Sequence, residues 1–206
     1  MTRETGRGGF VSRPNTLSTR DVRDRALLDL GDGPVTPSNR ADLVALARLL
    51  NVLLASLLVS SLQYEQHAVH LRAPSHRSLA EFLQAGADSD RLGARRLATR
   101  VRQLGFAPDH DPQHLAARSR IAYRTYPEGD ITGIVTEQLV AARILVQTLQ
   151  EAVRWVGELD PTTRRLLERI LEEKEAQADA LSAQSPAPSP PETAEAEPPD
   201  RPRAHP

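Results

Sequence analysis

The imidazoles of His67, His70 and His76 and the carboxylate of Glu65 crowd into one short stretch of a 206-residue chain. Imidazole nitrogens and carboxylate oxygens are metal donors, and His67 and His70, three apart, share a face of any helix that carries them. A second donor-rich stretch, Asp109-His110-Asp111-Pro112-Gln113-His114, matches no defined metal spacing. Each stretch holds a cation only if its donors converge; otherwise each is an ordinary polar turn. The chain contains no cysteine, which excludes disulfides and thiolate metal sites. It contains no glycine-rich phosphate loop, nucleophile elbow or zinc-protease motif.

The other chemistry the sequence offers is cationic. Arg91, Arg95, Arg96, Arg100 and Arg102 crowd one segment, with Arg91, Arg95 and Arg102 in one helical row. Such a face contacts phosphate, pairs with acids across an interface, or is simply solvated. Arg3, Arg7, Arg13 and Arg20 face only Glu4 in the first twenty residues. That is the composition of a flexible arm touching DNA phosphates through several cations at once, or of a solvated disordered tail. The net charge of −1 gives no wholesale attraction to polyanions. Lys174 is the only lysine among 26 basic residues. Arginine, unlike lysine, binds phosphate in bidentate fashion.

These residues must be positioned by helices. The stretch 38–71 repeats leucine at helical spacing (Leu43, Leu46, Leu50, Leu53, Leu57, Leu58), and Leu49, Val52, Leu54 and Val59 add a second apolar face. A helix apolar on two sides needs cover beyond one small core, and a second copy of the chain is the expected cover. Arg48 and Asn51 interrupt the run and Ser56, Ser60 and Ser61 dilute it, which argues against a membrane span. The expected helix covers 39–72, capped by Ser38 or Asn39. A second covers 78–105, opened by a capping box of Ser78 and Glu81 and closed by Gly105 and Pro108. A long connection follows, with a short helix over 113–122. A third helix covers 131–158, capped by Asp130. A fourth covers 161–183, with Asp160 as cap and Pro161 at its first position. Trp155 is expected in the core or an interface.

Residues 1–37 read as a flexible extension, with a short helix over 19–30. Residues 185–206 form a Pro-rich, acidic tail that cannot bury enough surface to order itself. The fold class is all-α: a ferritin-like four-helix bundle with a long crossover between its second and third helices, flanked by disordered tails.

At this level the chain resembles the Dps branch of the ferritin superfamily, the mini-ferritins that protect DNA during starvation. The resemblance covers 42–184. It rests on Leu50-Asn51 to Ala55, on His70-Leu71-Arg72-Ala73-Pro74 followed by Ser78-Leu79, and on Ala98-Thr99-Arg100 to Leu104-Gly105. Tyr126-Pro127 and Asp160-Pro161-Thr162-Thr163 to Leu166-Leu167, with Ile170 to Glu175, complete it.

The resemblance implies a hollow, twelve-subunit shell, Fe(II) oxidation between paired subunits, iron storage, and DNA contact through terminal arms. The family's iron ligands fall, in this register, on Ala68, Ala80, Arg95 and Thr99, none of them a metal ligand. The in-bundle di-iron alternative fares no better. It meets Leu57, Asp90 with Gly93, Glu137, and Lys174 with Gln177 on the four helices.

The leading expectation is therefore a shell-forming, stress-type Dps relative without the standard ferroxidase centre, and with no cofactor beyond possible iron. It would assemble with itself or with a paralogous subunit, touch DNA through its arm, and not enter membranes. Two others stand beside it. One is an iron-oxidising, iron-storing mini-ferritin using Glu65, His67, His70 and His76. The other is a scaffold displaying its C-terminal tail. No signal peptide is visible, so the expected compartment is the cytoplasm, with association to the nucleoid.

Overall fold

The computed structural model describes residues 18–28, 30–71 and 73–184. Among these residues every regular element is a helix. α1 is Thr19–Ala26, α2 Leu43–His70, α3 Arg77–Gln103, α4 Pro112–Arg118, α5 Ile131–Val156 and α6 Pro161–Gln184. Arg3, Arg7, Arg13 and the tail from 185 lie outside the described residues.

Local chemistry sets most helix ends. Asp130 accepts from the Gly133 N–H at 2.8 Å and opens α5. Asp160 accepts from the Thr163 N–H at 3.0 Å ahead of Pro161. Gly157, at φ +48, closes α5 in the left-handed region that glycine tolerates best.

Two helix starts and one helix end differ from expectation. α2 begins at Leu43, capped by Asp42 through the Ala45 N–H, not by Ser38 or Asn39. Asn39 instead holds the Ala41 N–H and reaches Asp160 at 3.3 Å. α3 begins at Arg77 behind a 3-10 turn at Pro74–His76, so Ser78 is already inside the helix and forms no cap. Glu81, its expected partner, pairs with Arg77 one turn back. α1 stops at Ala26 and buries no residue; Val22, Leu27 and Leu30 are exposed.

α2 packs chiefly on α3, and α5 on α6; contacts of α2 with α5 and of α3 with α6 close the bundle. The tight links 71–76 and 157–160 make each pair antiparallel. The crossover between α3 and α5 climbs the length of α2. The Asn51 side chain accepts from the Asp109 N–H at 2.9 Å. Ser56 accepts from the Arg120 N–H at 2.9 Å, and Gln63 from the Arg124 N–H at 2.8 Å. At the top His70 Nδ1 lies 3.2 Å from the Tyr126 carbonyl oxygen. α5 thus starts beside the start of α3 and runs the same way.

This route corrects the reading of α2. By length and composition α2 could cross a membrane, yet it packs as a core helix. Leu54 and Val59, on its second apolar face, are buried within the single chain, in the same core as Ile121 of the crossover. Leu115 of α4 packs against that core too. Most of the cover assigned to a second copy is supplied internally. What stays exposed on α2 is Val44, Leu62 and Val69. Leu92 of α3 is 39% exposed, and Trp155 is 48% exposed on α5, outside the core.

The interior has two apolar halves. One contains Leu46, Leu50, Leu53, Leu54 and Leu57 of α2, Leu97 and Val101 of α3, Leu145, Leu149 and Val156 of α5, and Leu167 and Ile170 of α6. The other contains Tyr64, Leu71, Leu83, Ala87, Ile134, Val135, Ala142 and Leu181. Between them α2, α3 and α6 each place a buried polar residue, Ser60, Asp90 and Lys174.

Candidate functional site

The residues expected near a displaced metal site do not meet. Glu65 pairs with Arg91 across the α2–α3 contact. His67 is fully buried, its Nδ1 2.8 Å from the Gln138 amide nitrogen and its ring edge-on to Tyr126 at 5.8 Å. His70 lies against Gln66 at 2.6 Å and against the Tyr126 carbonyl. His76 sits in the 3-10 turn ahead of α3. Burial pushes the His67 ring below its ordinary pKa, with the neighbouring His70 adding to the shift and the Arg124 backbone opposing it. A neutral, buried imidazole bonded to a glutamine is a packing element. The second stretch closes on itself: Asp109 takes Arg118 and His114, and Asp111 caps α4 through the Gln113 N–H. Among the described residues no three His, Asp or Glu side chains converge as a metal set.

The arginine row also resolves differently from a solvated face. Arg96 donates to Glu173 at 3.0 Å, and Arg100 is buried against Asp160 and Thr163. With the Arg91 pair, three of the five arginines are used inside the chain. Arg95 and Arg102 remain exposed.

Helical packing brings the four residues expected at ligand positions into two places. Ala68, late in α2, and Ala80, in the first turns of α3, are half-buried and pack on the same apolar half. Arg95 and Thr99 lie one turn apart on the exposed side of α3, where the Thr99 hydroxyl donates to the Arg95 carbonyl at 3.0 Å. Two methyl groups, a guanidinium and an engaged hydroxyl offer iron no ligand set.

The in-bundle position offers no better set. Glu137, the one carboxylate expected there from α5, turns to the crossover: it accepts from the Tyr126 hydroxyl at 3.1 Å and faces Arg124. A Cβ on Gly93 would meet the end of the Leu57 side chain at 3.0 Å, so a donor at that position needs the leucine to give way slightly. Asp90 remains, and its partner is the ammonium of Lys174. Lys174 also donates to Gln177 Oε1 at 2.7 Å and lies 5.4 Å from the centre of the Tyr64 ring. One carboxylate facing one ammonium does not fit two irons. Burial raises the Asp90 carboxyl, against the pull of Lys174 and Ser60, and lowers the Lys174 ammonium, against the pull of Asp90. Asp90 and Lys174 as a pair escaped the sequence reading. The available signal was a lone lysine in the apolar register Ile170, Lys174, Leu181.

Residues 47–185 match the ferritin family, described as a ferritin-like domain. The chain belongs to the ferritin-like family. Comparison with curated proteins gives no match.

Among solved structures, this ferritin-like chain is similar to the dodecameric thioferritin, a bacterioferritin-related protein, of Bacteroides fragilis. The TM-score is 0.67 at 22% identity, covering 70% of this chain and 86% of that one. An archaeal Dps homologue from Halobacterium salinarum also gives 0.67 at 22% identity, covering 73% and 89%. DpsC from Streptomyces coelicolor gives 0.65 at 21%, covering 69% and 84%. The ferritin-like fold, with the bundle and crossover of Dps proteins, is thereby shared.

Proposed function

We propose that this ferritin-like chain is a shell-forming subunit of the Dps type that lacks its family's iron-oxidising centre. The observation that carries the reading is the set Ala68, Ala80, Arg95 and Thr99 at the ligand positions, with a cation where a metal would need electron donors. Assembly is supported by the apolar residues left uncovered in one chain. Leu62 and Val69 stand two turns apart on α2, and Leu92 follows Arg91, the partner of Glu65. The similar B. fragilis protein is a dodecamer. A twelve-subunit shell, alone or with a paralogous subunit, is the assembly proposed here, and the cytoplasmic nucleoid is its proposed place. The basic arm, Arg3, Arg7, Arg13 and Arg20, is the proposed contact with DNA phosphates.

Light scattering on the purified full chain tests assembly. The expected result is one discrete particle of many subunits at micromolar concentration; a strict monomer overturns it. Fe(II) oxidation on the same sample tests the missing centre. A rate matching buffer is expected, and turnover well above it overturns that half of the proposal.

A further inference from the structure

The buried polar layer between the two apolar halves has the composition of a cation cage. Asp90 supplies the carboxylate, and Gln177 supplies an amide oxygen 2.7 Å from the Lys174 nitrogen. Ser60 lies by Asp90, and the face of the Tyr64 ring lies over the ammonium. The Asp90 and Lys174 side chains are each only 1% exposed. The Tyr64 hydroxyl is buried as well, without a hydrogen-bond partner among the described residues. Oxygen donors are what a hard cation takes, and an aromatic face adds attraction for an ammonium. Taking an aspartate and a lysine out of water is costly, and well-packed apolar residues of similar volume often serve stability as well or better. A pair kept at that cost, at the level where a ferritin-like bundle places carboxylates for metal, calls for a role other than net stability.

We propose that the Lys174 ammonium is the resident cation of this bundle: a tethered charge, caged by Asp90, Gln177 and Tyr64, that fills the place of a metal and shuts metals out. The proposal concerns one bundle's interior and stands whether or not the subunit assembles. The cage is specific for a cation, and only its tether makes it specific for lysine. Removing the ammonium therefore leaves an oxygen site for a divalent ion.

The test is thermal unfolding of the full chain in EDTA and in excess Mn²⁺, with Mn²⁺ binding followed by electron paramagnetic resonance. The wild-type midpoint is expected to be the same in both, with no Mn²⁺ held at Asp90. Lys174→Glu adds a second carboxylate to the cage. Its midpoint should fall in EDTA and rise saturably with Mn²⁺. If Lys174→Glu does not fold, Lys174→Gln, close in length and uncharged, replaces it. Its lost stability should be partly recovered by Mn²⁺ or by methylammonium. Two results overturn the proposal: wild-type Mn²⁺ binding that Asp90→Asn abolishes, or a folded Lys174 variant indifferent to every added cation. If neither variant folds, the wild-type arm alone decides.

Discussion

The Arg100 guanidinium donates to the Asp160 carboxylate at 2.7 Å, joining the last turn of α3 to the cap of α6. Asp160 also accepts from the Thr163 hydroxyl at 2.7 Å, and Arg100 Nε donates to that hydroxyl at 2.8 Å. The closed triangle fixes the end of the bundle where both helix pairs meet. Removing one member of a buried pair leaves the other uncompensated, at a cost of about 3–5 kcal/mol. Asp160→Ala should lose that much in urea unfolding. A loss within experimental error contradicts the triangle's role.

The same carboxylate sets an acid limit. Burial alone would raise Asp160, but the Thr163 N–H and hydroxyl and the Arg100 guanidinium hold it below its ordinary value. A depressed folded pKa means stability that is present above the unfolded value, about 4, and lost as pH falls through the folded one. The wild-type midpoint should drop in that acid window, and Asp160→Asn should flatten the drop. An identical pH profile in the variant would count against the assignment.

His67 governs a milder window. Its ring is held neutral by burial, so protonation favours the unfolded chain. The stability it protects is complete above about pH 6.5 and declines as pH falls below that value. His70, Tyr126 and Gln138 face it. His67→Gln should remove part of the decline between neutrality and pH 5. Unchanged pH dependence in a folded variant would reject this.

The Asp90–Lys174 pair gives a coupling prediction. Asp90→Leu alone and Lys174→Met alone should each cost about 3–5 kcal/mol, while the double variant should lie near wild type. Additive losses would show that the two residues do not act as a pair.

Some of this was legible in the chain. Asp130, Asp160 and Pro161 mark helix starts because a cap is settled by the next three residues. Asp42 was missed because Asn39, as good a cap on local grounds, is drawn to Asp160 from far along the chain. The Ser78 box failed because the 3-10 turn at Pro74 starts α3 one residue earlier. The polar residues Asn51, Ser56 and Gln63 within the leucine helix were a readable sign that backbone from elsewhere runs beside it. Their partners are fixed only by the crossover's path, which no local pattern states. The metal candidates His67 and His70 share a helix face in sequence, yet one is bonded to α5 and the other to the crossover.

The arm makes a separate prediction. Full chain and a form lacking residues 1–37 should differ in DNA retention in a gel, and the difference should shrink as salt rises. Equal retention by both would remove the arm from the account.

The central claim is that a ferritin-like subunit has kept its family's fold and given up its iron chemistry. Fe(II) oxidation by the full chain with peroxide, followed by absorbance at neutral pH, addresses it most directly. The account predicts a rate no faster than buffer. Rapid, saturable oxidation would contradict it.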